Sequence, residues 1–388
     1  MDASKLCREI PAPQDDEFRE VAWAKTSPSS KHMPIFINRG KADTPKSKYV
    51  QFELLYSGIC HSDIHSGEND FGSCRYPFVG GHELLGKVVA IGEEVSKFKV
   101  GDIIGVGCYV DSCLNCPSCD NNDEQYCYTG MTGTYGTDVN KYGRVPGNQS
   151  GYTFGGYSGS HTCHEHFVIK IPSSLPIEAA APLLCAGITM YSPLNHWGAT
   201  EKKMTIGIIG IGGLGTMGIK IAKAMGHTVV AVSRNDSKAA LAKSKGADFH
   251  VASTTMDADK TAAKIPKCNI ILNTVSANHD LNVYLPLLAI SGTIVQIGLG
   301  MKPHPINQLK LIMKRQSIAG SLIGGIKETQ EMINFCAKHN IYPDTELVLA
   351  SKIDDVWAKL KTNNDEGKRY VIDVKASLKD ESFLPPQR

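Results

Sequence analysis

A glycine-rich segment between an apolar stretch and a helical stretch places the strongest constraint on the fold of this chain. Gly210, Gly212, Gly213 and Gly215 spell G-x-G-G-x-G directly after TIGII and before TMGIKIAKAMG. Glycine lets the backbone turn tightly and lets N–H groups approach a pyrophosphate at the helix N-terminus. A second apolar stretch, TVVAVS, follows the helix. The segment therefore predicts a dinucleotide-binding βαβ unit.

The pattern of strand and helix signals divides the chain into two kinds of structure. From about Ile177, strand and helix signals alternate, which predicts an α/β domain with a doubly wound parallel sheet. From about Tyr49 to Ile171, short β-rich stretches such as YVQFELLYSG and LLGKVVAIG are separated by turn residues, which indicates an irregular β-rich domain. The residues before Val21 are expected to form a mobile extension.

Composition excludes several classes of protein. The 388 residues carry a net charge of only +2 and no basic stripe, so nucleic acid is not expected as a partner. No apolar run has the length of a signal peptide or of a membrane span, so a cytoplasmic protein that does not enter the membrane is expected. The 12 cysteines then point to thiolate ligation in a reducing compartment rather than to a disulfide framework.

A run of four cysteines is the clearest metal signal. Cys113, Cys116, Cys119 and Cys127 form C-x2-C-x2-C-x7-C within a segment rich in Asn, Asp and Pro. Four thiolates satisfy tetrahedral zinc and leave no open position, which is the form of a structural site. A disulfide pair is the main alternative, and the spacing differs from that of iron–sulfur ligand runs. The run predicts a structural zinc.

Three further fragments contain a second set of metal-ligand types. They are GICHSDIH at 58–65, GGHE at 80–83 and PLLCAGIT at 182–189. Cys60, His82 and Cys185 would supply two thiolates and one imidazole, a set that leaves the fourth zinc position open. Spacing alone does not join them, because each residue taken singly is better explained by a packed thiol or a hydrogen-bonded histidine.

Together these fragments resemble a known family. Their order, the cysteine run between them and the downstream GIGGLG are similar to the zinc-dependent medium-chain alcohol dehydrogenases. The stretches YPFVGGHELLGKVVAIG, AAAPLLCAGITMYSPL and GSLIGGIKET resemble the cinnamyl alcohol dehydrogenase branch. The resemblance, from about Val21 to Val374, implies a GroES-like catalytic domain at 1–177 with a structural-zinc lobe at about 108–130. It further implies an NADP-binding Rossmann domain at 178–322 and a return to the catalytic domain at 323–388.

The resemblance also implies roles for individual residues. Cys60, His82 and Cys185 would hold the catalytic zinc, with Glu83 as an alternative ligand or an outer carboxylate. Asp63 would orient the ligating histidine.

A proton relay is implied in the same fragment. Ser62 and His65 match the relay residues of the family, in which a hydroxyl passes a proton to an imidazole that opens to solvent. His61 would lie near the cofactor diphosphate, although an ordinary surface histidine explains it equally well.

The end of the second strand favours NADP(H) over NAD(H). An acidic residue there would bond the ribose 2′-hydroxyl of NAD, whereas this chain has Ser233 and Arg234, followed by Lys238. A hydroxyl, a guanidinium and an ammonium group can receive a 2′-phosphate, although a solvated helix start with Asp236 nearby is the alternative. By resemblance, the remaining residues of the cofactor cleft are Thr189, Ile211, Leu214, Thr274, Gly298, Ser321, Leu322 and Ile323.

These expectations define one function and two alternatives. The favoured function is hydride transfer between NADPH and an aldehyde bound at zinc, in the direction of aldehyde reduction, with cinnamyl-type, other aromatic and medium-chain substrates all open. A metal-free quinone or enoyl reductase and a non-catalytic zinc-stabilised binding protein are the alternatives. A zinc-ribbon nucleic-acid binder is disfavoured by the acidic residues around the cysteine run.

Two segments leave open questions. The apolar segment QSIAGSLIG predicts a sheet edge through which two copies pair as a homodimer. The stretch from Met131 to Gly159 and the following HTCHEH do not align securely with the family. For HTCHEH, a strand is favoured over a metal site.

Overall fold

The structure is a computed structural model that describes residues 11–44, 46–146, 150–257, 261, 263–300, 302–362 and 366–385. The strands are β1 (Glu17–Ala24), β2 (Met33–Gly40), β3 (Tyr49–Ile59), β4 (Leu84–Ile91), β5 (Ile103–Val106), β6 (Tyr109–Asp111), β7 (Thr132–Gly133), β8 (Ser160–His164), β9 (Ile169–Lys170), β10 (Thr205–Ile209), β11 (Thr228–Ser233), β12 (Phe249–Ala252), β13 (Cys268–Asn273), β14 (Leu288–Gln296), β15 (Ser317–Gly320), β16 (Thr345–Val348) and β17 (Arg369–Asp373). The α-helices are His61–Gly67, Pro117–Asp120, Ile177–Ala180, Ala186–His196, Gly213–Ala224, Ala239–Ser244, Gln308–Lys314, Ile326–His339, Ile353–Thr362 and Val374–Ser377.

Strands β10 to β15 form a six-stranded parallel sheet in the order β12-β11-β10-β13-β14-β15. Counted along the chain, this is the order 3-2-1-4-5-6 of a doubly wound dinucleotide-binding sheet. The central strands are continuous apolar runs because both of their faces are buried. The predicted parallel sheet is confirmed, and QSIAGSLIG supplies its edge strand β15.

A second, mixed sheet has the order β16-β17-β3-β4-β5-β9, with β8 also paired to β3. Its two C-terminal strands come from the end of the chain, and β17 pairs antiparallel with β3. The predicted strands YVQFELLYSG, LLGKVVAIG and RYVIDV are β3, β4 and β17, and the predicted helix KETQEMINFCAKH lies in Ile326–His339. The segment HTCHEH begins in β8, as the strand interpretation predicts.

The expectation of a mobile extension before Val21 is wrong for residues 17–20. They open β1 and pair with residues 37–40 of β2. The Glu20 carboxylate forms a buried ion pair with Arg39 and accepts a hydrogen bond from Ser160 at 2.6 Å, which fixes this strand to the β-rich half. Residues 1–10, also part of the expected extension, lie outside the described residues.

Within the described residues, no individual helix combines the length and the apolar character needed to cross a bilayer. By length and composition alone, one bent pair, Ile177–Leu184 with Ala186–His196, meets the requirement. Nearly every residue of Ala186–His196 is buried in the protein core, where the helix packs against Gly213–Ala224 and Ile326–His339.

Candidate active site

One cleft of about 920 Å³ brings the two halves of the predicted site together. Its walls include Cys60, His82 and Cys185 from the β-rich half and the glycine turn that follows β10. A groove of about 1060 Å³ lies beside β9 and the helix Ile326–His339, and no predicted metal or cofactor residue is among the described residues that line it. The cleft, and not the groove, is therefore the candidate active site.

The antiparallel pairing of β3 with β4 explains how distant fragments meet. Cys60 follows the last residue of β3, while His82 and Glu83 precede the first residue of β4. The end of one strand and the start of its antiparallel neighbour lie side by side at the same end of the strand pair. Cys185 arrives from a 3-10 helix, Ala181–Leu184, that packs against both strands. One ligand atom from each of these four residues lies within 4.8 Å of the other three.

The electrostatics of this group suit a metal ion. The pKa of the Cys60 thiol lies well below its usual value, because the Cys185 thiol hydrogen-bonds to it and the charges of Arg369 and His82 outweigh the effect of burial. A thiolate is the form that binds metal. Glu83 Oε2 is buried and has no hydrogen-bond partner among the described residues, so one oxygen remains available in the group. Two thiols, an imidazole and a carboxylate, all buried, fit zinc.

Asp63 orients His82, as expected for a zinc site. Its Oδ1 accepts from His82 Nδ1 at 2.8 Å and from the Gly81 N–H at 3.2 Å. Its Oδ2 accepts from the Cys60 N–H at 2.9 Å and from the Tyr157 hydroxyl at 2.9 Å. With Nδ1 occupied in this way, His82 directs Nε2 into the ligand group, 3.3 Å from Cys185 Sγ.

Glu83 forms a buried ion pair with Arg369 of β17. Burial raises the pKa of Glu83 to about 7, against the opposing effect of the Arg369 charge. The carboxylate also explains a glycine in GICHSDIH, because a Cβ at Gly58 would lie 1.8 Å from Glu83 Oε2. Sequence reasoning missed Arg369, since nothing within RYVIDV indicates a partner 286 residues earlier.

The predicted relay residues lie on the helix His61–Gly67 and line the cleft. Ser62 Oγ is 3.8 Å from Cys60 Sγ. His65 Nδ1 bonds Asp70 Oδ2 at 2.7 Å, and its buried Nε2 has no protein partner among the described residues. No hydrogen bond between Ser62 and His65 appears in this described segment, so a bound molecule would have to connect them. His61 also borders the cleft, and burial lowers its pKa.

Most of the predicted cofactor residues line the same cleft. They are Thr189, Gly210, Ile211, Gly212, Gly213, Leu214, Lys238, Thr274, Gly298, Ser321, Leu322 and Ile323. The buried hydroxyl of Thr189 has no partner within the described chain and is available to a ligand. Gly210 has φ +90°, and a Cβ there would meet Thr274 Oγ1 at 2.6 Å. These features fit a dinucleotide.

Gly215, Ser233 and Arg234 are not among the residues that line the cleft. Gly215 instead allows close packing, because a Cβ there would lie 1.8 Å from the Gly210 carbonyl oxygen. At the end of β11, the Ser233 hydroxyl donates to the Asn235 carbonyl at 2.6 Å and contacts His250 Nε2 at 2.8 Å. Arg234, the next residue, is exposed.

The four-cysteine run folds into a separate lobe between β6 and β7. Its four Sγ atoms lie within 4.8 Å of one another. The separations of 3.8 Å from Cys113 to Cys119 and 3.6 Å from Cys116 to Cys119 are far longer than a disulfide bond. All four cysteines are free thiols, which disfavours the disulfide alternative.

The segment 131–159, which the sequence left unassigned, supplies side chains to both metal-ligand groups. Tyr135 lines the cleft with its ring centroid 5.6 Å from that of His82. Tyr142 bonds Thr129 at 2.8 Å, and Arg144 bonds Asp111 at 3.0 Å, so both hold the cysteine lobe. Residues 147–149 of this segment lie outside the described residues.

Comparison with known proteins agrees with this geometry. Residues 46–173 match the alcohol dehydrogenase GroES-like domain, and residues 213–338 match the zinc-binding dehydrogenase domain. The chain is 45% identical to the NADP-dependent alcohol dehydrogenase C 1 of Mycolicibacterium smegmatis over 332 residues, which are 85% of this chain and 91% of the relative. This chain belongs to the zinc-binding alcohol dehydrogenase family.

Two further family members bear on the branch. The aldehyde reductase YahK of Escherichia coli is 45% identical over 331 residues, 85% of this chain and 91% of the relative. The crystal structure of the cinnamyl alcohol dehydrogenase of Helicobacter pylori with NADP(H) is 36% identical, with a TM-score of 0.82 over 93% of this chain and 99% of that one. The resemblance to the cinnamyl alcohol dehydrogenase branch is confirmed.

Proposed function

We propose that this protein is a zinc-dependent oxidoreductase that interconverts aldehydes and primary alcohols with NADP(H). The observation that carries the proposal is the meeting, in one cleft, of a buried two-cysteine, one-histidine, one-glutamate group with the glycine turn of a doubly wound sheet. The names of the relatives, an NADP-dependent alcohol dehydrogenase and an aldehyde reductase, support the same reaction class.

In this proposal Cys60, His82 and Cys185 hold the catalytic zinc, with Glu83 beside it. Zinc in such a site polarises a carbonyl group as a Lewis acid and stabilises the negative charge that develops on its oxygen. The four-cysteine lobe holds a second, structural zinc, which makes two per chain.

Other residues of the chain orient the metal-ligand residues and supply a proton to the substrate oxygen. Asp63 holds His82 in one tautomer, and the packed 3-10 helix fixes Cys185. Ser62 presents a hydroxyl beside Cys60 that can pass a proton to a substrate oxygen. His65 can replace that proton, because its Nε2 is unpaired among the described residues while its Nδ1 is held by Asp70.

The cofactor assignment rests on the two walls of the cleft. The turn at 210–215 and the N-terminus of the helix Gly213–Ala224 receive the diphosphate, and Thr189, Thr274 and residues 321–323 contact the remainder. Lys238 and exposed Arg234 favour the 2′-phosphate of NADP(H). The Ser233 hydroxyl, which was predicted to share this role, is buried and already donates to the Asn235 carbonyl. Asp236, the acidic residue of this loop, pairs with His250 at 3.6 Å.

Several finer assignments remain proposals. Cinnamyl-type, other aromatic and medium-chain aldehydes are the substrate classes, reduction is the favoured direction, and the protein is a cytoplasmic homodimer. The division at 1–177, 178–322 and 323–388 is supported by the strands β10 to β15, which lie between Thr205 and Gly320. The non-catalytic alternative is disfavoured because the metal-ligand group and both relay residues are present.

The deciding experiment combines zinc content with turnover in the wild-type protein and two variants. Cys185→Ala removes a ligand of the catalytic group. Cys336→Ala is the control, because Cys336 is also buried and belongs to neither cysteine group. We expect two zincs and faster oxidation of NADPH than NADH with cinnamaldehyde in the wild type and the control, and one zinc without turnover in Cys185→Ala.

Turnover by Cys185→Ala would overturn the ligand assignment. An active wild-type protein without zinc would instead favour the quinone or enoyl reductase alternative.

A further inference from the structure

The Tyr157 side chain lies directly behind the histidine of the catalytic group. Its hydroxyl donates to Asp63 Oδ2 at 2.9 Å, while the other oxygen of the same carboxylate accepts from His82 Nδ1 at 2.8 Å. Tyr157 and Asp63 are both 0% exposed, so water does not compete for these bonds. A phenol, a carboxylate and an imidazole thus form one buried chain that ends at the metal-ligand group.

The backbone of Gly156 and Tyr157 is hydrogen-bonded to the two residues that immediately precede His82. The Tyr157 N–H bonds the Gly80 carbonyl at 2.9 Å, and the Gly156 N–H bonds the Gly81 carbonyl at 2.9 Å. On the other side, the Trp23 N–H bonds the Tyr157 carbonyl at 2.8 Å. The phenol is therefore held in register with the GGHE segment.

The two glycines of GGHE make room for the Tyr157 ring. A Cβ at Gly80 would lie 2.9 Å from the ring, and one at Gly81 would lie 2.8 Å from it. Gly81 also has φ +91°, a conformation that other residues rarely adopt. The glycines next to the ligating histidine thus admit a tyrosine from a distant segment.

Aromatic side chains restrain the ring from behind. The His32 ring packs against Tyr157 at 5.9 Å and against Trp357 at 4.6 Å between centroids. His32 is itself held by Asp354, through its Nδ1 at 2.7 Å and its backbone N–H at 3.0 Å. These contacts restrain the Tyr157 ring, whose hydroxyl lies at Asp63 Oδ2.

We infer that Tyr157 is a positioning residue for the catalytic zinc, acting through Asp63 on His82. Asp63 uses Oδ2 for Tyr157 and the Cys60 N–H, and Oδ1 for His82 and the Gly81 N–H. Loss of the phenol bond leaves Oδ2 with the Cys60 N–H as its one remaining partner in this group, which weakens the hold of the carboxylate on the histidine. The inference rests on the proposed function, and it gives a role to the segment 131–159.

Zinc release to a chelator tests the inference without relying on turnover. Tyr157→Phe removes only the hydroxyl. Tyr152→Phe is the matched control, because Tyr152 is also buried and donates to a backbone carbonyl, that of Pro77 at 3.1 Å, outside the cleft. The zinc-loaded variants are mixed with excess 4-(2-pyridylazo)resorcinol, and the two zincs are followed as separate phases.

We expect Tyr157→Phe to release one zinc about 10-fold faster than the wild type, within the range for partners that orient metal ligands. The other zinc should leave at the wild-type rate, and Tyr152→Phe should behave as the wild type in both phases. With the zinc retained, kcat should fall while KM for NADPH stays constant, because the cofactor residues are unchanged.

A double-mutant cycle with Asp63→Asn shows whether Tyr157 acts through Asp63. We expect Tyr157→Phe to add little to the zinc release of Asp63→Asn, whereas independent effects would multiply. Equal release rates in Tyr157→Phe and Tyr152→Phe, or multiplying effects in the cycle, would overturn the inference. If the wild-type protein binds no zinc outside the four-cysteine lobe, the proposed function itself fails, which is a different result.

Discussion

Replacement of Glu83 by Gln should destabilise the protein strongly, even though glutamine has nearly the same shape. Glu83 is 0% exposed and Arg369 only 9% exposed, and the two form an ion pair. Glutamine removes the carboxylate charge that pairs with the buried guanidinium, and loss of one partner from a buried pair costs about 3–5 kcal/mol. At roughly 2 °C per kcal/mol for a large chain, the melting temperature should fall by about 6–10 °C.

The assay is thermal unfolding at pH 8, above the pKa of about 7 that burial gives Glu83, so that the wild-type carboxylate is charged. Glu346→Gln is the control. Glu346 pairs on the surface, at 3.5 Å, with Lys368, the residue that precedes Arg369 in the sequence. An exposed pair contributes only about 0–1 kcal/mol, so this variant should unfold close to the wild-type temperature.

The experiment is repeated on protein stripped of zinc by a chelator. If the Arg369 pair is the cause, the difference between Glu83→Gln and the wild type persists without zinc. A difference that vanishes on stripping would show that Glu83 acts as a metal ligand instead. Equal unfolding temperatures of Glu83→Gln and Glu346→Gln would refute the argument from the buried charge.

Three further predictions concern other parts of the fold. Gly215→Ala should lower the free energy of unfolding, measured in urea, by about 1–3 kcal/mol, because its Cβ would meet the Gly210 carbonyl oxygen at 1.8 Å. Gly212→Ala is the control and should unfold like the wild type, because a Cβ at Gly212 would meet no atom of the described residues within 4 Å beyond its chain neighbours. Cys119→Ser should leave one zinc per chain by elemental analysis and retain the zinc of the cleft. Burial lowers the pKa of His164 to about 4 from 6.5, so only the unfolded chain binds a proton between these values. Stability should therefore fall as the pH drops through this window, and urea unfolding of His164→Gln should show a smaller fall.

The parallel sheet and its cofactor turn were predictable because they depend on local pattern. Strands β10, β11 and β13 are buried on both faces, which requires continuous apolar runs, and the glycines after β10 are dictated by the turn. The four-cysteine lobe was predictable for the same reason, since its ligands lie within one short loop.

The group formed by Cys60, His82, Glu83 and Cys185 was predictable only in part. His82 and Cys185 are 103 residues apart, and their meeting depends on sheet register and helix packing that no local pattern encodes. Resemblance to a family joined them. Arg369 and Tyr157 act on Glu83 and Asp63 across 286 and 94 residues, and their own neighbours in the sequence are ordinary strand and turn residues. These supporting residues could be found only in three dimensions.

The position of β17 has a consequence for the order in which the protein is made. Strands β10 to β15 are contiguous in the chain, so their sheet is complete in sequence once Gly320 has been synthesised. The mixed sheet places β17 between β16 and β3, so this side of the sheet is incomplete until residues 369–373 leave the ribosome. During translation, residues 56–59 of β3 therefore lack their β17 partner, and the Glu83 carboxylate lacks Arg369, until residues 369–373 emerge.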